Sequence, residues 1–95
     1  MPEKIVLHHF FTLIQGDERI SVWHISLYIA LLHLWNQRGC QNPIAITRKE
    51  VMHLAHINAL ATYHKCIKEL KEFGYIEYIP SYNPFLGSLV SFKHL

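Results

Sequence analysis

Apolar residues recur along this chain at helical spacing in some segments and alternate with polar ones in others. From Lys4 to Gln15 they occur nearly all round, which favours a short helix over a strand. Ser21 is a suitable N-cap for a second helix, from Val22 to about Arg38, and Gly39 is a natural stop. The apolar stripe of this second helix is wide enough to be buried against two neighbours.

The next segment predicts a strand followed by a capped helix. Ile44 to Ile46 is a short apolar run, and Thr47-x-x-Glu50 after it forms a capping box. We expect the helix to run from Arg48 to Ala55. Its inward positions are Val51, Leu54 and Ala55.

A tight turn at His56-Ile57-Asn58, with Asn58 as N-cap, predicts a further helix from about Ala59 to Phe73. The turn position of His56 usually requires a left-handed backbone and favours glycine, so histidine departs from the pattern. Steps of three and four define the apolar stripe of the helix. Its members are Leu60, Tyr63, Ile67 and Leu70, with Cys66 and Phe73 beside them.

Two short apolar runs after Gly74 predict a β-hairpin. Residues 75–79 alternate as in a half-exposed strand, Pro80 ends it, and residues 88–92 form the returning strand. The loop between them, residues 81–87, contains no Lys or Arg.

Strand, helix, turn, helix and hairpin in this order are typical of the winged helix-turn-helix. We therefore predict a mainly α fold with a small β-hairpin (α+β), preceded by an extra N-terminal helical segment. The 95 residues form one domain, 1–95, in which 1–20 is an extension and a candidate dimerisation segment. Candidate dimer surfaces are the wide face of the second helix and the apolar residues Phe10, Phe11, Leu13 and Ile14.

Charge is spread unevenly along the chain. Residues 1–42 hold three Lys or Arg and three Asp or Glu, whereas residues 43–95 hold six Lys or Arg against four Glu. The small positive excess therefore lies in the half that resembles a DNA reader. No signal peptide or membrane-spanning segment is visible, and two unrelated cysteines form no disulfide framework, so we expect a cytoplasmic protein.

The polar face of the helix from Ala59 to Phe73 is the main candidate for DNA contact. It comprises Asn58, Ala61, Thr62, Lys65 and Lys68, with His64 at its edge. Small residues allow close approach to base edges, and the lysines suit phosphates. Backbone clamps are expected at Arg48 and Lys49, and loop contacts at Tyr82 and Asn83. For all three groups, an ordinary solvated or locally packed surface is the alternative.

The sequence gives little support for metal binding or catalysis. None of the eight histidines or two cysteines has the spacing of a structural zinc site, so no metal is expected. No phosphate-binding glycine loop or nucleophile motif is present, and we expect neither an enzyme, a cofactor nor a small-molecule substrate.

Several segments also carry a family resemblance. They are residues 24–28, 34–36, 42–44, 47–52, 61–70 and 82–88, of which Ala61 to Leu70 is the most specific. Over about residues 20–92 the chain resembles small winged-helix proteins encoded on bacterial conjugative and mobilisable transposons. The resemblance implies DNA binding, as a transcriptional regulator or as an excision or mobilisation accessory factor.

The sequence thus predicts a bacterial protein that binds double-stranded DNA, as a homodimer or in a larger protein–DNA assembly. Two alternatives stay open. The winged helix can serve as a protein-interaction module, which the uncharged loop and the near-neutral charge favour. A replication-initiator-like domain is the other, although such proteins normally contain a second domain.

Overall fold

Seven elements follow one another in the computed structural model, which describes residues 2–81 and 87–93. In chain order they are α1 (Pro2–Ile14), α2 (Val22–Gln37), β1 (Ile44–Ile46), α3 (Arg48–Ala55), α4 (Leu60–Glu72), β2 (Ile76–Ile79) and β3 (Ser88–Phe92). The described residues thus form a compact α+β domain with four helices and a small antiparallel sheet. The predicted order of elements is confirmed.

Local capping explains where two of the helices begin. The Thr47 side chain accepts a hydrogen bond from the Glu50 amide at the start of α3, and the Glu50 carboxylate accepts one from the Thr47 amide. The predicted capping box is therefore confirmed. Ser21 caps α2 as predicted, but its partner in that box is the imidazole of His24, which the sequence analysis did not anticipate.

The three strands are not arranged in sequence order. β3 lies in the centre of the sheet and pairs antiparallel with β1 on one side and β2 on the other. Val90 lies opposite Ile44 in one ladder and opposite Tyr78 in the other. The hairpin therefore shares one sheet with β1, the strand that leads directly into α3.

The core surrounds α2, which packs on α1, α3 and α4. Phe10 of α1 is only 1% exposed and stacks on Tyr28 of α2, with ring centroids 3.8 Å apart. The prediction that Phe10 belongs to a dimer surface is therefore wrong, because the ring fills the core of its own chain. Phe11 and Leu13 remain exposed and Ile14 is half-buried.

Three further expectations about side chains are wrong. Leu54 of α3 and Leu60 of α4 were expected to face inward, but they are 36% and 43% exposed. Asn58 was expected to be the N-cap of α4, whereas that position is Ala59, which makes no side-chain capping hydrogen bond. The helix begins one residue later than the turn motif indicates.

Candidate nucleic-acid interface

The outer face of α4 is polar and open to solvent. Tyr63, Ile67 and Leu70 are buried on the inner face. Ala61, Lys65 and Lys68 lie on the opposite side, as the helical period requires, and all three are exposed. The predicted DNA-contact residues of the helix centre thus lie together on one accessible face.

The remaining predicted residues of this face lie at its margins. His64 is exposed on one edge, and Asn58 is exposed in the turn before the helix. Thr62 is half-buried on the other edge, so its access to a ligand is more limited than that of Ala61. Lys68 has a neighbouring carboxylate, since its Nζ lies 3.9 Å from Oε1 of Glu72. This exposed pair is long and weak.

The turn that joins α3 to α4 is short and anchored in the core. His56 ends α3 in a left-handed conformation with φ of 57°, where glycine is the usual residue. Ile57 is 2% exposed and anchors the turn in the core. Ser26 of α2 donates a hydrogen bond to the carbonyl of Ala55, which satisfies one of the last acceptors of α3.

The start of α3 presents two further cations. Arg48 and Lys49 are exposed, and neither forms an ion pair among residues 2–81 and 87–93. The neighbouring carboxylate of Glu50 is already engaged, since Arg38 of α2 donates to it at 2.7 Å. Arg48 and Lys49 are therefore not paired with any carboxylate in the described part of the chain.

A cleft opens between the start of α3, the start of α4 and the base of the hairpin loop. Its described lining residues are Ile46, Thr47, Arg48, Lys49, Tyr63, His64, Tyr78, Pro80, Ser81, Gly87 and Ser88. None of these residues is acidic. Three predicted site residues, Arg48, Lys49 and His64, therefore meet in one concave surface.

Glycine at position 87 allows the hairpin to close against β1. A Cβ atom there would lie 2.6 Å from the carbonyl oxygen of Ile46, and φ of 70° also favours glycine. Tyr63 and Tyr78 also line the cleft, which the sequence did not indicate because both occupy apolar positions in their elements. Tyr82 and Asn83 lie outside the described residues.

The C-terminal end of α4 is built differently. Asp17, in the loop after α1, accepts two hydrogen bonds from the Arg19 guanidinium at 2.8 Å each and one from the Tyr75 hydroxyl at 2.7 Å. Arg19 lies 4.1 Å from the centre of the Phe73 ring. The hydrogen bonds from Arg19, followed by the one from Tyr75, hold the pKa of Asp17 well below its usual value.

The pKa of Tyr75 is shifted in the opposite direction. Burial, and then its hydrogen bond to the Asp17 carboxylate, raises the pKa of Tyr75 to about 12. The hydroxyl therefore keeps its proton and remains a donor to Asp17 throughout the physiological range. This cluster ties the loop before α2 to the residues that follow α4.

A second tie joins α4 to α2 through a buried histidine. His24 is 4% exposed, and its Nδ1 accepts the Ser21 amide at 2.9 Å. In the neutral ring the proton is then on Nε2, which donates to Oε1 of Glu69 at 3.2 Å. The Glu69 carboxylate is therefore engaged by α2.

Among the described residues, the cysteines and the side chains able to bind a metal form no further cluster. Both cysteines are free, and burial raises the pKa of the Cys66 thiol, which makes it a poor nucleophile. In the described part of the chain, no group of three His, Cys, Asp or Glu side chains is arranged to hold a metal ion. The helices described here are all too short or too polar to cross a bilayer.

No protein-family model, curated protein or solved structure matches this chain.

Proposed function

We propose that this chain is a double-stranded DNA-binding protein of the winged helix-turn-helix type. In this proposal α3 and α4 are the helix-turn-helix, β2 and β3 flank the wing, and α4 enters the major groove. The observation that carries the proposal is the exposed face of Ala61, Lys65 and Lys68 beside the unpaired cations of α3. The order of elements and the left-handed turn at His56 support it.

The roles of the residues follow from their chemistry. Ala61 is small enough to bring the helix backbone close to base edges, and Thr62 offers a hydroxyl and a methyl group there. Lys65, Lys68, Arg48 and Lys49 neutralise phosphates on either side of the groove. Three or four such contacts give a slope of about −3 to −4 for log affinity against log salt per protomer.

Weak electrostatic binding by one protomer favours a dimer or a larger assembly on DNA. The resemblance to proteins of bacterial mobile elements makes a regulatory, excision or mobilisation role the corresponding biological proposal. Sedimentation equilibrium tests the dimer, which we expect at tens of micromolar protein. A monomer alone under those conditions contradicts it.

The test of DNA binding is a salt titration with DNA from the locus that encodes the chain. Replacing Lys65 and Lys68 with Ala removes two phosphate contacts, so the salt slope falls by about 2 and affinity at 0.1 M salt falls by about 50-fold. The matched control replaces Lys4 and Lys93, which are exposed on α1 and after β3. Both variants have the same net charge, and only the first is expected to lose affinity.

If the two double variants lose the same amount of DNA affinity, the effect is one of net charge alone. That result would overturn the assignment of α4 as the DNA-binding helix. Absence of binding by the parent protein at any salt would remove the proposal as a whole.

A second candidate function is a protein-interaction module, and an apolar groove favours it. The groove is lined by Val22, Ile25, Ser26, Ile29, Ala30, His33 and Leu54, between α2 and α3. Val22 is 71% exposed and Ile29 is 42% exposed, so this surface is available to another protein. Replacing Ile29 with Glu separates the candidates, because DNA affinity per protomer is expected to persist while protein association is lost.

A further inference from the structure

The cleft beside α3 contains hydrogen-bond donors that the fold leaves unused. The amides of Arg48 and Lys49 are in the first turn of α3, where no carbonyl of the helix can accept from them. Thr47 caps only the Glu50 amide. Neither of the first two amides has an acceptor among residues 2–81 and 87–93. Both are therefore available to a ligand at the positive end of the helix.

Tyr63 supplies an independent sign that the cleft takes a ligand. The residue is 2% exposed and its ring packs in the core, yet it lines the cleft. Its hydroxyl has no hydrogen-bond partner in the described part of the chain. That hydroxyl is therefore free to donate to an acceptor atom of a ligand in the cleft.

The electrostatics of the cleft select the charge of that ligand. Burial raises the pKa of the Tyr63 hydroxyl, and the positive charge of Arg48 acts in the opposite direction. The hydroxyl therefore stays protonated and can donate. With Arg48, Lys49 and His64 on the walls and no described acidic lining residue, the cleft favours an anion with several acceptor oxygens.

We propose that this cleft is a phosphate-binding site that holds one phosphodiester of the DNA backbone, with the Tyr63 hydroxyl as a donor inside it. This inference rests on the proposed function, and it assigns to a core tyrosine of α4 a ligand contact that the exposed face of the helix does not include. The phosphate oxygens accept from Tyr63, from the Arg48 side chain and from the free amides of α3. His64 closes the side nearest to α4.

Tyr63→Phe tests the site with little change to the core, because only the unpartnered hydroxyl is removed. DNA affinity is expected to fall about tenfold, as for the loss of a hydrogen bond to a charged group. The salt slope stays unchanged, since no cation is removed. Arg48→Gln in contrast lowers both the affinity and the slope, the latter by about 1.

Tyr78→Phe is the matched control. Tyr78 also lines the cleft, but its hydroxyl already donates to Oγ of Ser88 at 3.3 Å. Its loss is expected to change DNA affinity by less than about twofold. Urea unfolding of all variants confirms that each is folded, and Tyr63→Phe is expected to be as stable as the parent or more stable.

A second measurement uses inorganic phosphate and the full chain without DNA. Phosphate at constant ionic strength is expected to shift the amide resonances of Arg48 and Lys49 in a saturable manner, and Tyr63→Phe to weaken that binding. Replacing single phosphates of the DNA by uncharged methylphosphonates then identifies the bound phosphodiester. At that position, the parent and Tyr63→Phe are expected to bind the modified DNA with equal affinity.

The outcomes separate the two proposals. If the parent binds DNA and Tyr63→Phe binds equally well, the cleft site is overturned and the DNA-binding proposal stands. If the parent binds no DNA but phosphate shifts the two amides and Tyr63→Phe weakens the effect, the cleft is a site for free phosphate groups and the DNA proposal falls. No saturable shift, together with no effect on DNA, overturns the site.

Discussion

Charged side chains near the two ends of α4 differ in whether they are paired. At the C-terminal end, which we call the paired end, Asp17, Arg19 and Tyr75 form one hydrogen-bonded cluster, and Glu69 is held by His24. Around its N-terminal half, which we call the open end, Lys65 of α4 and Arg48 and Lys49 of α3 have no carboxylate partner in the described chain. One helix thus separates charges that hold the fold from charges available to a ligand.

This difference shows which charges can be used for binding without loss of stability. Glu50 is held by Arg38, Glu69 by His24 and Asp17 by Arg19, so these three carboxylates do not neutralise the cations at the open end. Substitutions at the paired end should therefore change stability alone, and those at the open end should change binding alone.

Charge reversal at the open end is expected to have the largest effect. Lys65→Glu removes a phosphate contact and adds repulsion, so DNA affinity at 0.1 M salt should fall by at least about 50-fold. Stability should change by less than about 0.5 kcal/mol, because Lys65 is exposed. The control is Lys71→Glu in the last turn of the same helix, with less than about threefold loss expected. Equal losses would show that the two ends do not differ.

Removing the buried histidine at the paired end should give the next largest effect. His24→Leu deprives the Ser21 amide and the Glu69 carboxylate of their partner, which should lower the free energy of unfolding by about 2 kcal/mol. Urea denaturation measures this change in the free energy of unfolding. Glu69→Gln keeps an acceptor oxygen and should cost less than half as much; an equal cost would mean that capping of α2 contributes little.

The Asp17 cluster predicts a dependence of stability on pH. Because the folded-state pKa of Asp17 is lowered, its contribution is complete above the unfolded value of about 4 and is lost as the pH falls towards the folded value. Asp17→Asn should therefore be less stable than the parent at pH 7, with the difference shrinking on acidification. Thermal unfolding between pH 7 and pH 2 measures it, and a constant difference would contradict the assignment.

The smallest expected effect lies in the turn between α3 and α4. His56 adopts φ of 57°, which costs about 1 kcal/mol for a residue with a Cβ and little for glycine. His56→Gly should raise the free energy of unfolding by less than about 1 kcal/mol, and His56→Ala should not raise it. DNA affinity should be unchanged in both variants, because each still forms the turn when it is folded.

Local signals in the sequence predicted most of the fold. The capping box of Thr47 and Glu50 joins residues three apart, and the helical stripe of α4 repeats every three or four residues, so both can be recognised without tertiary contacts. Leu54 and Leu60 show the limit of such patterns. Periodicity identifies the apolar side of a helix but does not reveal whether another element covers its edge.

Two contacts that define the paired end of α4 could not be predicted because they join distant residues. His24 meets Glu69 across 45 positions and Tyr75 meets Asp17 across 58. Tyr63 was predicted to be a core residue, which is confirmed, but the same position also lines the cleft. Helical spacing predicts the direction of a side chain but does not predict which groups surround its terminal atoms.

The central place of β3 has a consequence for the order in which the chain is synthesised. β1 is made before α3 and α4, yet its hydrogen-bonding partner is β3, about 45 residues later in the chain. β2 also pairs only with β3 among the described strands. The ladder with β1 needs residues 88–90 and the ladder with β2 needs residues 89–92, so neither can form before this last part of the sheet has been synthesised.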